Sequence, residues 1–156
     1  MNNFVSKVLI MLSVVALCVA CEKYVLDEQK MKGFSGDIVV DNEDGSHFTD
    51  PNIRVTFSES LKKDGTYDLF LKKVKFSEKM PVRIDMTIPS VTKSATDTLS
   101  GDSIVPWAMG GPFEKWTIRQ LSGYITYACD STPLELHFEM LCGDYPATYH
   151  GIYTEE

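Results

Sequence analysis

The chain has little positive charge. There are 15 Lys and Arg against 22 Asp and Glu in 156 residues, a net charge of −7. A surface of that sign repels phosphate backbones, so no nucleic-acid partner is expected. Signatures of catalysis are missing too. There is no Gly-x-Ser-x-Gly elbow, no glycine-rich phosphate loop ahead of a helix and no cysteine beside a candidate base. No catalytic residue is therefore assigned, no enzyme is expected and no cofactor is implied. Paired carboxylates of the glycosidase kind meet only in a fold and leave no spacing to read. After Cys21 no stretch repeats apolar residues at sustained helical spacing, which leaves strands as the organising element. The 44% hydrophobic and 11% aromatic content is nevertheless that of a chain that folds around one core.

The first residues carry an address. Met1–Lys7 holds one positive charge, Val8–Leu17 is apolar, and small residues lead to Ala20-Cys21, the layout of an export signal. The apolar stretch ends at Glu22 and Lys23, short of the roughly 20 residues that a membrane span needs. The ending Leu17-Cys18-Val19-Ala20-Cys21 resembles a bacterial lipobox, with Cys18 standing where leucine is usual. That resemblance implies a signal over residues 1–20, cleavage before Cys21, and a diacylglycerol on its thiol. The membrane then becomes a partner through the N-terminal lipid, since several acyl chains hold a protein on a bilayer where one is marginal. An ordinary secretory peptide cut near Ala20 is the alternative. Residues 21–32 read as a lipidated tether and residues 33–156 as one domain.

Within that domain the apolar period is two. Val82–Ile88 and Leu134–Met140 alternate strictly, Asn52–Ser58 places Ile53, Val55 and Phe57 on one face, and Thr66–Val74 follows an Asp64-Gly65 hairpin signal. Strands are also expected at Gly36–Asp41, Thr92–Leu99, Lys115–Cys129 and Ala147–Thr154, the seven prolines falling at their edges or between them. In Lys115–Cys129 the apolar parity changes, so a bulge is expected near Ser122-Gly123. Cys129 would start a turn and Cys142 would end the next strand. That separation exceeds about 20 Å of extended chain, so both thiols are expected to be unpaired.

Roughly eight antiparallel strands with one buried face each describe either a closed barrel or a sandwich, and because closure removes exposed edges the expected fold is an all-β, up-and-down barrel. The pattern resembles the calycin-like, lipocalin-like β-barrel lipoproteins of Bacteroidales. The residues that carry the likeness are the lipobox at Cys21, Gly33–Val40, Lys63–Leu69 and Leu121–Tyr124 ahead of Leu134–Phe138. The lipocalin Gly-x-Trp element is missing, because no Trp lies beside Gly33 or Gly36, and retinoid-carrier activity is not carried over. The resemblance implies a cell-envelope lipoprotein, at the outer membrane, whose barrel holds a small hydrophobic ligand. The alternative is a structural or interaction lipoprotein with a filled barrel, contacting envelope protein or glycan.

Candidate sites are few. Ile104–Phe113 is apolar yet rich in turn residues. It reads either as a lid that brings Trp107, Met109 and Phe113 to a hydrophobic ligand at a barrel mouth, with Trp116 nearby, or as a plug over one end of the core. Glu135, His137 and Glu139 share a strand face, but residues two apart lie nearly 7 Å from each other, too far to converge readily on a metal ion. Asp41–Gly45 fails the EF-hand register and reads as an acidic hairpin loop. No metal site is assigned. Tyr124, Tyr145, Tyr149 and Tyr153 suit either a binding surface or ordinary strand filling.

Overall fold

The computed structural model describes residues 33–155; the expected signal, Cys21, the tether and the final residue lie outside the described residues. Ten strands follow one another: β1 (Gly33–Asp41), β2 (His47–Glu59), β3 (Thr66–Val74), β4 (Ile84–Lys93), β5 (Thr98–Gly101), β6 (Trp107–Ala108), β7 (Gly111–Pro112), β8 (Ile118–Tyr127), β9 (Pro133–Cys142) and β10 (Tyr145–Thr154). Neighbours run β3-β2-β1-β10-β9-β8-β5-β4, and β3 also pairs with β4, which closes the sheet. The fold is an up-and-down antiparallel barrel of eight strands, with β6 and β7 as a hairpin outside it on β4. This is the all-β barrel the alternation implies, and it is consistent with a calycin-like fold. The chain enters at Gly33 and leaves after Thr154 at one end, here the lower end.

Alternation gives each strand one inward face. Ile38 and Val40, Val55, Leu69 and Leu71, Met86 and Ile88, and Leu136 and Phe138 all have 0% exposure, except Ile53 beside them at 2%. Strand boundaries match the expected run in β3, where Gly65 at φ +73° supplies the turn ahead of Thr66. The expected strand Thr92–Leu99 is different. Ser94–Asp97 forms a tight turn, closed by Ser94 N–H to the Thr98 carbonyl at 2.9 Å and by a Lys93–Asp97 ion pair at 2.7 Å. The threonines around it suggest a strand by propensity, but these local side-chain bonds favour the turn.

Two prolines, Pro51 and Pro89, sit inside β2 and β4 rather than at edges. Each lies at a bulge, where a missing ladder N–H does no harm. The residue after each proline has positive φ, Asn52 at 58° and Ser90 at 60°. A neighbouring carboxylate takes its N–H: Asp37 for Asn52 at 3.2 Å, Asp68 for Ser90 at 2.9 Å. The same device recurs where Asp85 accepts from Lys73 at 2.8 Å and Asp102 from Gln120 at 2.9 Å. The β8 bulge thus falls between Arg119 and Ser122, slightly ahead of the position expected from parity.

At the seam between β1 and β10, Gly36 lies opposite Gly151. A Cβ on Gly36 would overlap the backbone of His150, and one on Gly151 would overlap the Tyr149 hydroxyl. The space goes to Tyr149, whose buried Oη lies 3.1 Å from both the Phe34 and the Ile53 carbonyl oxygens. Burial raises its pKa.

Candidate functional site

The barrel has a filled interior. Sixteen inward or plugging side chains, from Ile38 through Phe76 to Tyr149, have 0% exposure, so no water-sized gap touches any of them. An eight-stranded barrel is narrow enough to be filled by its own side chains. The upper end is shut by an aromatic group. Phe76 and Phe113 pack against Trp116 at ring separations of 5.5 and 4.9 Å, and Tyr145 lies 6.5 Å away. The loop that carries Phe76 is pinned by Asp50, only 1% exposed, which receives both arms of Arg83 at 2.7 and 2.9 Å and the Lys75 N–H at 2.7 Å.

The four residues proposed from the sequence therefore part company. Phe113 and Trp116 belong to the upper plug, with Trp116 9% exposed. Trp107 and Met109 face outward at 46% and 64% exposure on the β6–β7 hairpin. That hairpin turns through Met109 and Gly110, both at positive φ, the geometry of a two-residue type I′ turn. A left-handed methionine carries a conformational cost, and here it holds an apolar side chain out at the hairpin tip. Beside it runs an open groove of about 450 Å³ on the outer wall, lined by Phe70, Val82, Asp85, Thr87, Trp107 and Met109. Lys62 reaches this wall from the β2–β3 loop, its Nζ 5.1 Å from the Trp107 ring centre, a cation–π distance.

A second concavity of about 270 Å³ opens at the lower end between Phe34, Phe57, Ile125, Tyr127 and Tyr153. Nearby, Phe57 stacks on Tyr67 at 4.5 Å, and Lys93 lies 5.9 Å from both the Tyr67 and the Tyr127 ring centres. The ion pair with Asp97 holds the Lys93 ammonium above its usual range.

The remaining candidates are resolved by their neighbours. Asp44 in the β1–β2 turn spends its carboxylate on the Ser46 N–H and hydroxyl, at 2.9 and 2.6 Å, as an acidic hairpin does. Cys129 is exposed and Cys142 buried, both unpaired; burial pushes the Cys142 thiol up to about 12. The four tyrosines form no common patch: Tyr149 is interior, Tyr145 is in the plug, Tyr153 is at the lower rim and Tyr124 is outside. What the sequence could not show is that the pairing of β9 with β10 sets His137 directly opposite His150. No family model, curated protein or solved structure matches this chain.

Proposed function

We propose that this chain is a lipid-anchored recognition module of the cell envelope, without catalytic activity, that meets envelope protein or glycan through its outer wall. The observation that carries this reading is the near-complete burial of the inward faces of the barrel, sixteen of whose interior or plugging side chains have 0% exposure, which leaves a small hydrophobic ligand no central chamber. The exposed pair Trp107 and Met109, projecting beside an open groove, is the contact surface. Tryptophan and methionine are enriched where proteins meet partners, and a flat indole face also suits a sugar ring. The anchor is the thiol of Cys21, as the lipobox-like ending implies, and the outer membrane is the proposed site, as in the Bacteroidales barrel lipoproteins that the sequence resembles.

The test uses the full chain with Trp116→Phe, which leaves Trp107 as the sole tryptophan. Fatty acids and bile salts are expected to give no saturable change in its emission. A photo-crosslinking residue at Met109 is expected to give a discrete membrane-fraction adduct that disappears with Trp107→Ala. One-to-one fatty-acid binding that survives Trp107→Ala would overturn the filled-barrel reading. Recovery of Cys21→Ser in membranes, still labelled with fatty acid, would overturn the anchor.

A further inference from the structure

The outer face opposite the Trp107 groove carries a different chemistry. Cross-strand pairing lines up Asp37, His150, His137 and Tyr124 in one row over β1, β10, β9 and β8. The two imidazoles are direct neighbours, with ring centres 6.1 Å apart, and Tyr124 stacks on His137 at 5.2 Å. Glu139 approaches Nε2 of His137, and Glu135 approaches Nε2 of His150, each at 3.7 Å. Those separations are too long for a hydrogen bond, so the carboxylates bias the electrostatics without using up the ring nitrogens. The flanking rows hold Ser35, Ile152, Glu135 and Thr126 on one side and Val39, Thr148, Glu139 and Ser122 on the other. None of these positions brings a Lys or Arg to oppose a cation.

We propose that His137 and His150 form a two-imidazole chelate for a divalent transition ion of the zinc, nickel or copper class. Imidazole nitrogen selects those ions over magnesium or calcium. With a metal–nitrogen bond of about 2.0–2.1 Å, each ring centre lies about 3.2 Å from the ion, so rings up to about 6.4 Å apart reach one ion between them. Bent coordination asks the observed pair to close by about 1 Å, a side-chain torsion adjustment on an outer surface. Among the described residues no three His, Cys, Asp or Glu side chains already converge on a point, so water completes the coordination and the three carboxylates supply charge. Successive same-face residues on one strand are too widely spaced to converge readily, whereas directly opposed residues on paired strands have Cβ atoms about 4.5–5.5 Å apart. The site thus exists through pairing rather than through sequence spacing.

Full-length chain purified without a histidine tag, titrated calorimetrically with zinc at pH 7.5, is expected to bind one ion at micromolar concentration. His137→Gln and His150→Gln should each weaken binding at least about tenfold, while His47→Gln, at the upper end beside Asp41, should leave it unchanged. Copper paramagnetic resonance on the unaltered chain should show two equivalent nitrogen couplings, a readout that does not depend on any variant folding. No saturable uptake below millimolar zinc, uptake that survives both substitutions together, or a single nitrogen coupling would each overturn the proposal.

Discussion

Asp68 on β3 reaches across to β4 and accepts the backbone N–H of Ser90 at 2.9 Å, one residue after a proline that interrupts the ladder. The carboxylate replaces the strand partner that the bulge removes, and Ser90 is held at φ 60°. Asp68→Ala should leave that N–H without its partner and cost about 1–2 kcal/mol. Asp68→Asn keeps an acceptor oxygen and should cost less. Urea unfolding of the two variants checks the order.

Asp50 and Arg83 hold the β3–β4 loop against the barrel. Because Asp50 is 1% exposed, Arg83→Met leaves a buried carboxylate with little beyond the Lys75 N–H, and a loss of about 3 kcal/mol is expected. Asp50→Asn together with Arg83→Met should recover part of it. Chemical denaturation of the single and double variants gives the coupling.

Two glycines should behave oppositely. Gly36→Ala drives a methyl into the backbone of β10 and should prevent the seam from closing, seen as loss of the cooperative thermal transition. Gly111→Ala meets nothing within 4 Å and should shift stability by no more than about 0.5 kcal/mol.

The two described thiols should separate by reactivity. Cys129 should react with a disulfide reagent in the native state, and Cys142 only on unfolding, because its exposure is nil and its pKa is raised from 9.0 to about 12. A pKa raised in the fold means stability that is complete below pH 9.0 and declines as pH rises toward about 12. Tyr149, raised from 10.0 by burial, adds to the same alkaline loss. Cys142→Ala should flatten the first part of this decline in thermal melts between pH 8 and 10.5.

The acid limb has the opposite sign. Asp44, Asp102 and Asp130 are held below 3.8, Asp44 chiefly by the Ser46 hydroxyl and the other two chiefly by backbone N–H groups of Gln120 and Thr132. Their contribution is present above pH 3.8 and is lost as pH falls through the lowered values. Melting temperature should therefore hold steady on acidification until about pH 4 and then fall, less steeply in Asp102→Asn.

The barrel was legible because its signal is local and repeated: alternation in Leu134–Met140 recurs in the buried pattern of β9. What stayed hidden depends on partners far along the chain. Nothing near Pro51 or Pro89 announces that Asp37 or Asp68 will mend the ladder. In the same way, Trp107 and Phe113 are neighbours in sequence but diverge, because the β6–β7 hairpin reverses between them and pairs to the outside of β4. The His137–His150 pair depends on the β9–β10 register, which no single-strand reading contains.

The strand that receives the chain from its N-terminal side is β1, bonded along its length to β2 on one flank and β10 on the other. Tension applied at Gly33 along the strand axis would load both ladders in shear, all rungs together, instead of peeling them apart singly. A pull at this end of β1 thus meets the sheet in its mechanically resistant direction, and the outer wall keeps its shape under load.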